Sequence, residues 1–322
     1  MKPFSRTTLN DSGVLKNMQK GKLNGFQKNG PLFLMTLPMV IYIFVFNYIP
    51  MAGIFLSFKR FRYDKGFWGS EWIGFDNFKF FFQSQDAWRT ARNTLAYNFV
   101  FIIIGVVIAV GIALLLYEIS NRKMLKMYQT IMFFPHLLSW VVISFMAYAF
   151  LNSRSGLLNM LLKSIHLKPV DWYNQPNPWI FIFPIAHIWK SVGMSALIYY
   201  ASLIGIDHEY FEAASIEGAN KWHITTKITL PFLKPLITIL TILAIGQIFN
   251  ADFGLFYQLP MNSPMLYKTT DVIETYIFRT LREEGNIGVS SAVGLFKSLV
   301  GLVLVITTNA FVKRVSPENA LF

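Results

Sequence analysis

The sequence predicts an all-α integral membrane protein with six transmembrane helices. Three observations carry that expectation. Apolar and aromatic residues make up 54% of the 322 positions, and charged residues only 14%, well under the quarter or so that a soluble domain carries. The apolar residues gather in runs of about 20 or more, the length a helix needs to cross the hydrocarbon core. Polar and basic residues fill the stretches between the runs.

Taken in order, the first thirty residues are polar and basic. They show no short apolar core followed by a small-residue cleavage site, so 1–30 is expected to be a tail, not a removable signal. Six spans are then expected near 31–57, 93–117, 129–151, 178–204, 234–258 and 288–312, with a tail over 313–322. Pro38, Pro50, Pro135 and Pro184 fall in or near these spans and predict kinks, since their freed carbonyls can be satisfied by neighbouring helices. The 59–91 connection is long and aromatic. In the 152–177 connection Leu157, Leu158, Leu161 and Leu162 suggest an interfacial helix. No internal repeat is visible, and 31–312 reads as one membrane domain.

Composition also narrows the chemistry. The formal charge of +12 is spread over tails and loops, which fits anionic lipid headgroups and not a nucleic-acid groove. With no cysteine in the chain, disulfides, thiolate catalysis and cysteine-held zinc or iron–sulfur sites are excluded. His208-Glu209 begins like a zinc-protease motif, but position 212 is glutamate, and the five histidines are scattered, so no metal site is expected. Lysine and arginine are almost equally divided between the two sets of loops, so charge alone barely orients the chain.

The most specific signal lies in the 205–233 loop. Asp207 is placed to cap a short helix, Glu209 and Glu212 sit near its positive end, and Gly218 can supply the left-handed stop. Ala213, Ala214 and Glu217 share a face, flat enough to enter a groove on another protein. Beyond the glycine, Lys221, Trp222, His223 and Lys227 suit a membrane surface, and Pro231 opens the next span.

Glu212-Ala213-Ala214, Gly218, Ile228, Leu230 and Pro231 together resemble the EAA signature of ABC importer permeases. In that family the loop is a cytoplasmic coupling helix that fits a cleft on an ATPase subunit. Trp72-Ile73-Gly74-Phe75-Asp76-Asn77-Phe78, followed by Asn93-Thr94-Leu95, resembles an element of sugar permeases. In chemical terms, Gly74 permits a tight turn, the aromatics anchor at headgroup level, and Asn77 can fix the loop backbone. The nearest resemblance is to MalF/LplB-like carbohydrate permeases, the latter handling complex oligosaccharides that include fragments of acidic polysaccharides. It implies the type I importer permease fold, both termini cytoplasmic, and a place in the bacterial plasma (inner) membrane. It also implies a second permease subunit, two ATPases and an extracytoplasmic binding protein. The chain has no Gly-x-x-x-x-Gly-Lys-Ser/Thr phosphate loop, so ATP and Mg²⁺ are expected on the partners, with no cofactor on this chain.

Candidate substrate residues are the polar side chains placed inside spans. Asn250 matches a sugar-contacting asparagine of the maltose permeases. His187 with Ser191, and His136 with Trp140, share helix faces at i and i+4, and the resemblance sets them near cavity-facing positions. Lys190 and the histidines favour a carboxylate, which points to uronate-containing oligosaccharides. Asp252 is open to three readings: a sugar contact, a partner for Lys190, or a place near the outer mouth. Trp140 or Tyr257 could cover a sugar face, while Trp140 and Trp189 read equally well as packing residues. Lys190 and Lys297 read equally well as snorkelling lysines. Competing functions are import of another solute, ion-coupled secondary transport through Asp252, Lys190 and His187, and membrane enzymology.

Overall fold

The structure, a computed structural model, describes residues 29–315. Most of the expected terminal tails lies outside the described residues. The chain divides into two compact units, one ending at Phe55 and one beginning at Leu56.

The first unit contains most of the Gly30–Phe58 span. It starts with Pro31 in its first turn, passes Pro38, and loosens into a π turn over Phe44–Tyr48 and a 3₁₀ stretch over Ile49–Phe58. Leu34, Met35 and Phe46 are each more than 60% exposed. A helix so apolar along its length suits lipid as its solvent.

Four further helices are long and apolar enough to span: Gln85–Tyr117, Trp179–Ile204, Lys221–Gly246 and Ile287–Arg314. The expected third span is two helices, Arg122–Leu137 and Trp140–Leu151, bent by 97°. Pro135 removes one amide donor near the end of the first helix, Leu138 turns extended, and the Ser139 hydroxyl restarts the second by accepting from the Val142 amide. Counting the bent pair as one span gives six.

The fifth span also departs from expectation. The segment expected to lie on the membrane surface before Pro231 is helical from Lys221, through a π turn at Thr225–Thr229, into the span itself. That helix stops at Gly246 instead of running to 258, and a new helix, Phe253–Gln258, begins after Asp252.

Small residues set the close packing. Ala109, Ala113 and Ala196 are fully buried between Gln85–Tyr117 and Trp179–Ile204, as expected where lipid offers no hydrophobic drive and backbones must approach. Gly193 lies against the Met132 carbonyl, which any Cβ would overlap. Short helices cover the opposite end: Asp76–Gln83, Leu157–Ser164 and Ile273–Arg282. Leu157–Ser164 is the helix the leucine pattern predicts. A two-residue antiparallel pairing, Lys59 with Trp72 and Arg60 with Glu71, closes the aromatic loop. There Gly74 has a φ of +60°, and the Asn77 amide donates to the Ser57 and Lys59 carbonyls, which is the backbone-fixing role its place in the motif suggests.

The covering loops are tied to the spans by a buried charge. The Asp271 carboxylate is fully buried and accepts two bonds from Arg279 (2.8 and 3.1 Å), one from Arg89 (2.7 Å) and one from Thr275 (2.9 Å). Burial works to lower the pKa of Arg279, but the hydrogen bonds and charge of Asp271 outweigh it and hold that pKa above its usual range. Around this cluster Asn93 donates to the Lys268 and Asp271 carbonyls, Thr94 accepts from the Ile273 amide, and Tyr97 donates to the Thr269 carbonyl. Asp271→Ala leaves the Arg279 guanidinium without its carboxylate, while Arg89 keeps Asp86 at 2.7 Å, and should cost about 3–5 kcal/mol. A fall in the thermal unfolding midpoint of the purified protein in detergent, larger than for Asp271→Asn, is the expected result.

Candidate functional site

Two regions at opposite ends of the spans carry the candidate residues. At one end, the Asp207 side chain accepts from the Glu209 amide and starts the helix His208–Ile216. Its exit is a Schellman motif: the Gly218 amide donates to the Ser215 carbonyl, the Ala219 amide to the Ala214 carbonyl, and Gly218 stands at a φ of +80°. The second alanine of Glu212-Ala213-Ala214 is therefore also where the helix stop closes. None of the helix's residues is buried, and Ile216 is 88% exposed. Such a face is free to meet another protein.

The loop is held from below. Lys221 pairs with Glu118, and Tyr117 packs on Phe211. Ile228 lies in the π turn, Leu230 packs beside buried Leu233, and Pro231 sits in the first turn of Leu230–Gly246. These three lie in the π turn and at the start of the next helix, and do not belong to the exposed face of His208–Ile216.

The second region is the break at 247–252. After Gly246 the backbone leaves the helix, with the Asn250 amide donating to the Gln247 carbonyl. Inside a bilayer such a turn needs partners for every freed group. The Asn98 side chain donates to the carbonyls of Ile248 (2.9 Å) and Asn250 (3.2 Å), and the Ala251 amide donates to Glu274 Oε1 at 2.9 Å. Asp252 caps the next helix through the Leu255 amide and accepts from the Trp140 indole at 2.6 Å. Phe249 anchors the turn in a cluster with Phe81, Ile273, Tyr276 and Val293.

The turn borders a cavity of about 370 Å³ between Gln85–Tyr117, Trp179–Ile204 and Leu230–Gly246. Its polar lining is Asn98, His187, Ser191, Ser195, Gln247 and Asn250, among Phe101, Ile102, Val106, Ile198 and Leu240. His187 stacks on Phe101 with ring centroids 4.0 Å apart, and Ser191 donates to the His187 carbonyl. No lysine, arginine or carboxylate is in the lining.

Of the residues singled out in the sequence, Asn250, His187 and Ser191 thus meet at one cavity, although Asn250 stands in a turn and not inside a continuous span. His136, Trp140, Lys190 and Asp252 gather beside it at the two breaks. The Lys190 ammonium donates to the His136 and Leu138 carbonyls (3.0 and 2.5 Å), capping the helix that ends at the 97° bend, and lies over the Trp140 ring. It therefore neither snorkels nor pairs with Asp252, whose carboxylate accepts from the Trp140 indole and the Leu255 amide. Lys297 likewise does not snorkel, since it pairs with Glu274 at 2.7 Å. Tyr257 stacks on Phe253 and meets Phe278 edge-on.

An interrupted span with a polar turn at a cavity is a transporter's way of placing a binding site in a bilayer, and the chain's similarity to known proteins is to transport permeases. Residues 102–317, well over half the chain, match the family described as binding-protein-dependent transport system inner membrane component. The chain belongs to this family. LplB of Bacillus subtilis (strain 168) is 32% identical over 288 residues, covering 89% of this chain and 90% of LplB. The polygalacturonan/rhamnogalacturonan transport system permease protein YteP of the same organism is 31% identical over 288 residues, covering 89% of each. A chain from the crystal structure of a bacterial ABC transporter involved in the import of the acidic polysaccharide alginate matches with a TM-score of 0.84 at 31% identity, over 91% of this chain and 99% of that one. The protein is a multi-pass permease subunit of a binding-protein-dependent importer, with no catalytic role of its own.

Asn98 and Gln247 line the permease's cavity and Glu274 holds the turn beside it; Asn98 and Glu274 are not among the residues the sequence marks out. Asn98 and Gln247 carry a legible signal, a polar side chain within an apolar run; Glu274 has none, because its partners are 23 residues away in either direction. Asn98→Leu leaves the Ile248 and Asn250 carbonyls without their donor and should cost about 1–3 kcal/mol. Hydrogen exchange should rise in 247–252 while helix Leu230–Gly246 stays protected.

Proposed function

We propose that this permease pairs with a second, homologous permease on two ATPase subunits and imports oligosaccharides handed over by an extracytoplasmic binding protein. The cargo is the uronate-containing class, on the strength of the relatives named for polygalacturonan and alginate. Asn250, His187 and Ser191 contact it in the cavity, and that convergence is the observation that carries the reading. A wall of amides, hydroxyls and an imidazole between apolar side chains suits sugar hydroxyls and C–H faces. It offers no formal charge to a carboxylate, so carboxylates are met by the partner permease or the binding protein. His136, Trp140, Lys190 and Asp252 bound the site by holding the two breaks together.

Glu212, Ala213 and Ala214 present the ATPase-facing surface, while Gly218, Ile228, Leu230 and Pro231 fix its angle. With the helix His208–Ile216 on the ATPase side, both termini are cytoplasmic in the bacterial plasma membrane, and Trp72–Phe78 faces outward. ATP and Mg²⁺ stay on the partners, since this chain lacks a phosphate loop.

The test is uptake of labelled tetragalacturonate by the complete transporter in proteoliposomes. ATP-dependent uptake that needs the binding protein is expected. Gly218→Leu, which forces a side chain into left-handed backbone at about 1–2 kcal/mol, should lower uptake at least tenfold in an intact complex. Asn250→Ala should raise the KM for the sugar about tenfold with assembly unchanged. Uptake of the sugar driven by an ion gradient without ATPases, or an unaltered KM in Asn250→Ala, would overturn the corresponding part of the reading.

A further inference from the structure

The ion pair of Glu274 with Lys297 is an expensive feature for this fold. A lysine inside a span is costly and is kept only with a partner, and here both side chains are largely buried, with 11% of Glu274 and 21% of Lys297 exposed. One carboxylate oxygen, Oε1, takes both the Lys297 ammonium at 2.7 Å and the Ala251 amide at 2.9 Å. The other, Oε2, is buried without a partner. A buried pair that leaves an oxygen unsatisfied is a poor device for stability alone, because hydrophobic residues of similar volume would serve as well or better. Its yield is geometric: a fixed acceptor at one backbone amide.

That amide belongs to the residue after Asn250. The other supports of the turn come from within the spans, Asn98 from Gln85–Tyr117 and Trp140 from the helix after the bend. Glu274 instead comes from Ile273–Arg282, the covering helix whose start is clamped at Asp271 and whose far end carries exposed Leu281, Arg282 and Glu283. The carboxylate therefore joins an outward-facing helix to the turn that borders the cavity.

We propose that Glu274 is a positioning residue for the oligosaccharide site: with its carboxylate fixed by Lys297, it holds the Ala251 amide and sets where Asn250 stands in the cavity. Displacement of Ile273–Arg282 then moves the Asn250 turn, so the outer face of the permease sets the affinity of the site within the membrane. This inference rests on the reading of Asn250 as a sugar contact.

Two double variants separate the acceptor from the charge. Glu274→Gln with Lys297→Met removes both charges and keeps an oxygen for the Ala251 amide; Glu274→Leu with Lys297→Met removes the oxygen as well. Both are measured in the complete transporter with tetragalacturonate and its binding protein, beside Asn250→Ala. The leucine double should raise KM about tenfold with maximal rate within twofold, and should expose the Ala251 amide to hydrogen exchange. The glutamine double should restore KM to within about threefold of wild type and keep that amide protected. Equal KM and equal exchange in the two doubles would overturn the proposal, as would failure of the leucine double alone to assemble, which would mark the oxygen as structural. If Asn250→Ala leaves KM unchanged, it is the site reading that fails; if transport of this sugar is absent throughout, the exchange difference still decides whether the acceptor holds the turn.

Discussion

The structure depends on one constraint: a helix interrupted inside a bilayer must find protein partners for the backbone groups it frees. Between Gly246 and Phe253 the fifth span stops and restarts, and its carbonyls and amides are met by Asn98, Glu274 and the Asp252 cap. The bend in the third span raises the same demand, met by Lys190 on its freed carbonyls and by Ser139 at the restart. Trp140 and Asp252 then join the two interruptions by a single hydrogen bond. Gly254 is required at this junction, because a Cβ there would overlap the Trp140 ring. Polar residues that would be liabilities in an unbroken span are here the structural solution, and the groups left over, Asn250, His187 and Ser191, face the cavity.

At the other end the constraint is mechanical. The helix His208–Ile216 has a built start and a built stop and packs on Tyr117 through Phe211, while Lys221, at the start of the fifth span, pairs with Glu118. From Lys221 the chain runs as one helical path to Gly246. The short helix therefore precedes a helical path whose other end is the Asn250 turn. The two candidate regions stand at the two ends of that helical path, with a π turn near its start.

The short helix was legible because its rules are local: an aspartate cap, acidic residues in the first turn and a glycine at the stop all lie within a dozen residues. The membrane class and most span positions were legible because apolar runs are continuous. The two breaks were not. Ile248, Phe249, Phe253 and Leu255 keep the apolar run going through the turn, so hydropathy reads 234–258 as one span while Gln247, Asn250 and Asp252 look like polar intrusions. Pro135 announced a kink, but the size of the bend comes from Ser139 restarting the helix at a new angle. The clamp at Asp271 and the pair at Glu274 were illegible for another reason: Arg89 and Asp271 are 182 residues apart, and no local pattern marks a partner at that distance.

The claim that the broken fifth span forms the sugar site is tested most directly by a cryo-EM structure of the assembled transporter trapped with tetragalacturonate on the way through. Sugar density is expected in the cavity between Gln85–Tyr117 and Trp179–Ile204, with the Asn250 amide in hydrogen-bond reach of a hydroxyl. Density for the sugar elsewhere, with this cavity closed by its own side chains or filled by lipid, would contradict it.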